Sequence, residues 1–261
     1  MLPLRKLGDA ATALLLSVAA FVVISPVLSA STALAATPPA GCADAAELVV
    51  LPSPVAPWKG APLRVVFAAE TALEGELELA APNGAIAVKT RERRGGPPYF
   101  WFAEVASPAA GTWRAKLTRD NAPAECATTP REIAVRATAP SRPGPTAGSV
   151  WPVRNAWNRA TENLYSAWIE KLFEARIAEQ PSWPALHEVL RDRSRNFLFN
   201  HLGLGEDQSG LVIRPDCADL PYFLRAYFAF KMGLPFGYSK CTRGGAGQPP
   251  KIGRASCRER V

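Results

Sequence analysis

Three observations predict a multidomain α+β chain, an antiparallel β-sandwich followed by a helical segment. Residues 43–138 alternate apolar and polar positions with a period of two and contain no convincing helical stretch. Residues 138–149, TAPSRPGPTAGS, hold three prolines and no long apolar side chain, the composition of a semi-rigid linker. From Trp151 onward the apolar spacing turns helical. A length of 261 residues allows two domains, and 48% hydrophobic with 20% charged residues is ordinary globular composition.

The first 36 residues read as a secretory signal. Arg5 and Lys6 form a basic start, an apolar run extends from Ala10 through Val27, and Ala33-Leu34-Ala35 supplies small residues for cleavage. An uncleaved anchor is the alternative, since the run is long enough to span a bilayer. Pro39-Ala40-Gly41-Cys42 fits a lipoprotein site less well, because Pro39 stands where an aliphatic residue is expected. Export to the periplasm, the cell surface or the medium follows.

Residues 37–138 carry candidate strands at Glu47–Leu51, Leu63–Ala69, Gly75–Ala80, Ala85–Glu92, Tyr99–Val105, Thr112–Thr118 and Glu132–Ala137. Trp113, Ala115 and Leu117 face one way and Arg114, Lys116 and Thr118 the other; Leu77 and Leu79 interleave with Glu76 and Glu78. Turns fall at Pro82-Asn83-Gly84, Gly95-Gly96-Pro97-Pro98 and Pro108-Ala109-Ala110-Gly111. Seven short strands at this spacing suggest an immunoglobulin-like sandwich. Cys42 and Cys126 flank it and can form a disulfide in an exported protein. The run Tyr99-Phe100-Trp101-Phe102 is read as core, with an exposed sugar-binding platform as the alternative.

Beyond the linker, residues 139–150, a helix is expected between Trp151 and Ala178, capped by Asn155 or Thr161. A second begins at Ser182 or Pro184 and runs through Leu190, and Arg195–Leu202 forms a third short helix or turn ended by Gly203. The last helix, Leu220 to Met232, is almost wholly apolar, with only Arg225 and Lys231 charged, which predicts a buried helix. Gly233 and Pro235 stop it. Pro221 fits its first turn if Asp219 is the cap.

Cys217 stands at the mouth of that helix. Free backbone N–H groups and the positive end of the helix dipole favour a thiolate there and can hold an oxyanion. Asp216 acts against thiolate formation, so a base from elsewhere is expected. The alternative is an inert buried thiol. Asp207, Asp216 and Asp219 read as caps, turn formers or pocket groups, not metal ligands; no Cys/His set has zinc spacing, and no cofactor or metal is expected.

The string Asp216-Cys217-Ala218-Asp219-Leu220-Pro221 through Gly233-Leu234-Pro235-Phe236 resembles the central segment of NlpC-like cell-wall endopeptidases, in the papain-like cysteine peptidase superfamily. The resemblance spans about the last hundred residues and departs from the family at Asp219, where a small residue is more usual. It implies the N-terminal part of a papain-like hydrolase domain at 151–250, with Cys217 as nucleophile and peptide or isopeptide bonds of peptidoglycan as substrate. The family's histidine follows the cysteine, whereas both histidines here, His187 and His201, precede it. Residues 252–261, IGRASCRERV, read as translated sequencing adapter, with Lys251 partly so, which places the expected histidine beyond Pro250 and makes this fragment inactive. Without the sheet of a complete domain, Trp157, Trp168, Phe223 and Phe228 are expected to stay exposed.

Cys241, in a glycine-rich stretch, is open to pairing with a cysteine further on or with Cys217. Removing leader and tail from the formal +7 leaves +4, which does not support a nucleic-acid partner. Two rivals remain: a transglutaminase-like or degenerate acyl transferase, and a non-catalytic surface or cell-wall binding protein.

Overall fold

The structure, a computed structural model, describes residues 42, 47–141, 150–238, 241–242, 245, 247, 249 and 251–252. The leader at 1–36, most of the linker and residues 253–261 lie outside the described residues. Eight strands come first: β1 Val49–Ser53, β2 Leu63–Ala69, β3 Gly75–Ala80, β4 Ile86–Thr90, β5 Arg94–Gly95, β6 Tyr99–Val105, β7 Gly111–Arg119 and β8 Thr128–Val135. Helices α1 Arg159–Leu172, α2 Leu186–Arg191 and α3 Leu220–Met232 follow, with a 3-10 turn at Glu206–Gln208 before α3 and a two-residue pair, β9 Cys241–Thr242 and β10 Lys251–Ile252, after it.

The strands form two antiparallel four-stranded sheets, ordered β1-β2-β6-β5 and β4-β3-β7-β8. They pack face to face through Leu63, Val65, Phe67 and Trp101 on one side and Leu77, Leu79, Trp113 and Leu117 on the other. The outer faces differ. In the second sheet, Glu76 and Glu78 of β3 point outward among Lys89 and Lys116, an exposed charge ladder that keeps that face wet. In the first, Val66 and Ala68 of β2 and Phe100 of β6 are apolar, and the helical segment covers them. All seven residues of β2 are therefore buried, alternately in the inter-sheet core and under the helices. The described residues all belong to one compact unit.

Several expectations are corrected. The first helix begins at Arg159, not near Trp151, because Asn158 closes a capping box with Thr161. Residues 151–158 instead run beside the end of α3, where Trp151 Nε1 donates to the Leu234 carbonyl at 2.9 Å and Trp157 Nε1 to that of Pro235 at 2.8 Å. Of the short helix or turn expected at Arg195–Leu202 the structure has the turns, since buried Asn196 spends its Oδ1 on the Leu198 N–H and the Trp168 indole. Strand β5, unexpected, pairs its two residues with Phe100 and Tyr99.

The aromatic strand is core: Phe100 and Trp101 are fully buried on opposite faces, so no sugar platform exists there. Trp168 and Phe228 are not exposed either. They bury against each other, Tyr165 and the outer face of the first sheet, which supplies the cover a further sheet was expected to give. Each such burial stabilises by roughly 1.5–3 kcal/mol. Cys42 and Cys126 are joined by a disulfide whose Cα atoms lie 5.7 Å apart.

Candidate active site

Helix α3 is held at both ends. Its C-terminus closes on Gly233, whose left-handed conformation (φ 62°) lets its N–H bond to the Ala229 and Phe230 carbonyls. The Gly233 carbonyl accepts the N–H groups of Arg154 and Asn155, and Asn155 Nδ2 donates to the Met232 carbonyl at 2.7 Å. Midway, Arg225 lies 3.5 Å from the Trp157 ring centroid and pairs with Glu162 of α1.

Lys231, one of the two charges on this apolar helix, has a fully buried side chain. It pairs with Glu206 and Asp207, 8% and 5% exposed. Asp207 also accepts the Asn200 N–H at 2.6 Å and the Tyr227 hydroxyl at 2.9 Å. Asn196 Nδ2 donates to the Tyr227 oxygen at 2.8 Å and to the Leu190 carbonyl at 2.6 Å. Burial, reinforced by Asp207, pushes the Tyr227 phenol well above its usual range, so it stays a donor. Burial alone would raise Glu206, but the Lys231 charge and the Leu202 N–H outweigh it and hold the carboxyl below its usual range. Every charge in this cluster is paired, as burial demands.

At the other end Cys217 is a free, exposed thiol in the turn before α3. Asp219 is the N-terminal cap residue of α3, and the turn before it is closed by Asp216, whose Oδ1 accepts the N–H groups of Ala218 at 2.9 Å and Asp219 at 2.8 Å. Asp219 is exposed and makes no capping bond with its side chain. The first turn of α3 is also less buried than its composition predicts, with Tyr222 61% and Phe223 40% exposed. It projects beyond the layer that buries Leu224, Phe228 and Lys231. A cavity of about 200 Å³ opens next to the cysteine turn, lined by Arg214, Pro215 and Leu220 against Phe173 and Trp183.

The histidines are occupied elsewhere. A ring nitrogen of His187 accepts the Ile213 N–H at 3.1 Å. His201 is buried beside β1, its Nδ1 3.0 Å from Ser53 Oγ. Burial first, then the Lys231 and Arg64 charges against that of Glu206, pushes its imidazole down to about 3. A sealed, neutral ring is not placed to serve an exposed thiol. Among the described residues no group of three or more His, Cys, Asp or Glu side chains is arranged to hold a metal ion, and no helix is long and apolar enough to cross a membrane.

No family model matches the chain, and no curated protein matches it. Among solved structures, an engineered protein determined at 1.98 Å is 19% identical over 36% of this chain, with a TM-score of 0.25; the match spans only 20% of that protein's length. So distant a likeness carries no argument. The resemblance to NlpC-like peptidases rests on the residues around Cys217 alone.

Proposed function

We propose that the protein is an exported thiol hydrolase acting on peptide or isopeptide bonds, with peptidoglycan stems as the substrate class. An immunoglobulin-like sandwich would carry the N-terminal part of a papain-like domain. The carrying observation is the free, exposed Cys217 in the turn before α3, a helix anchored at its other end by buried ion pairs and caps. The strand orders β1-β2-β6-β5 and β4-β3-β7-β8 support the immunoglobulin-like part, since they match an ABED sheet facing a CFG sheet with one added strand.

In this reading the Cys217 thiolate attacks an amide carbonyl to form a thioester, and the amine leaves with a proton from the protonated base. Water then cleaves the thioester, regenerating the thiol and releasing a carboxylate. The general base in this step is a residue other than His187 and His201, which are engaged elsewhere. The cavity beside Arg214 and Leu220 would receive the acyl side of the substrate. The test is cleavage of purified wall fragments by the full-length protein and by Cys217→Ala. Loss of cleavage in the variant is expected, and equal cleavage by both sinks the hydrolase reading.

One observation favours a second reading. Asp216 occupies the N–H groups of Ala218 and Asp219, two of the donors an oxyanion at this helix end would use. A non-catalytic wall-binding relative needs no such donors. Retention of wall fragments without their cleavage by the full-length protein would select it.

A further inference from the structure

We propose that the cavity between residues 54–64 and residues 193–208 binds a small carboxylate with an apolar body, such as the C-terminal residue of a peptide. The cavity is about 150 Å³, the scale of a single residue. It lies where the first sheet meets the helical segment, and the proposal is independent of Cys217.

Five lining side chains offer hydrogen-bond donors. Arg64 is only 2% exposed; its Nε donates to Glu104 at 3.0 Å and its Nη1 to the Phe199 carbonyl at 3.2 Å, while Nη2 bonds to no described residue. Arg193 lies 4.9 Å over the Phe199 ring and forms no ion pair among the described residues. Asn200 spends Oδ1 on the Gly205 N–H at 2.8 Å, and its Nδ2, like Trp58 Nε1 and the Gln208 amide, has no acceptor among the described residues. No aspartate or glutamate lines the cavity. Glu104 is met by Arg64, so the Arg193 charge is left over.

An uncompensated guanidinium beside unbonded donors recognises an oxyanion, and a planar carboxylate suits the guanidinium fork. The indole donor is also held in place. The Trp58 ring is wedged between Gly60 and Gly203, where an added Cβ would come within 2.7 Å and 3.0 Å of it. Pro54, Pro62 and Phe199 give the cavity apolar walls, which inorganic phosphate would leave unfilled and an aliphatic side chain would cover.

The test is calorimetric titration of the full chain with N-acetyl-alanine, N-acetyl-alanine amide and inorganic phosphate. The acid is expected to bind at least about tenfold more tightly than the amide, and Arg193→Gln to weaken it by about tenfold. Arg64 also holds the Phe199 turn, so the second variant is Gln208→Glu, which keeps the size of an exposed side chain and sets a carboxylate among the donors; it is expected to weaken the acid severalfold with an unchanged melting temperature. The proposal is overturned if the acid does not bind at millimolar concentrations, if acid and amide bind equally, if phosphate binds more tightly than the acid, or if both variants retain wild-type affinity.

Discussion

Lys231 of α3 and Asp207 of the preceding 3-10 turn form an ion pair with both side chains sealed, 0% and 5% exposed. This pair, extended by Glu206, Tyr227 and Asn196, ties α3 to the turns that follow α2.

Removing the lysine strands two buried carboxylates. Lys231→Met is expected to cost about 3–5 kcal/mol in urea unfolding, and adding Asp207→Asn to recover part of that loss. A Lys231→Met protein as stable as wild type would show that the cluster is not sealed from water.

His201 makes stability depend on acid. Its imidazole is held at about 3 in the folded protein, below the unfolded value of 6.5. The unfolded chain thus takes up a proton the folded one refuses, and stability falls as pH drops from about 6.5 toward 3, by at most about 1.4 kcal/mol per pH unit. Above that window the effect vanishes. The difference between wild type and His201→Asn, followed by denaturant unfolding across that range, should carry this slope; a pH-independent difference would contradict it.

The disulfide closes a sequence separation of 84 residues. Cys126→Ser is expected to lower stability by about 2–4 kcal/mol, mainly by freeing the unfolded chain. Reductant should bring the wild type to the variant's melting temperature and leave the variant unmoved.

Asp216 holds two N–H groups and a negative charge beside Cys217. Asp216→Ala should cost about 1 kcal/mol in urea unfolding, because the N–H groups of Ala218 and Asp219 lose their acceptor in the turn that leads into α3. An unchanged midpoint would mean that water replaces the carboxylate there.

What was legible in the sequence was local. Leu63–Ala69, Gly75–Ala80 and Tyr99–Val105 form strands over the spans their alternation and flanking turns mark. The apolar spacing from Trp151 to Trp157 mimicked a helix, but those indoles are spent on carbonyls at Leu234 and Pro235, a pairing no local pattern announces. Lys231 was equally opaque, since its partners lie 24 and 25 residues upstream. The signal for the two-sided burial of β2 was present: LRVVFAA has an unbroken apolar run where a strand with one wet face would alternate. At the thiol, the helix start could be read from Asp219 and Pro221, whereas the part Asp216 plays depended on how the preceding turn closes.

Because β2 serves both cores, the helical segment and the sheets share a structural member and cannot melt independently of it. A slip of one residue in β2 would put Arg64 and Val66 into the inter-sheet core and expel Val65 and Phe67, damaging both layers at once. A chain cut between residues 141 and 150 should accordingly run as a two-piece complex on gel filtration, with its fragments separating only when the whole unit unfolds.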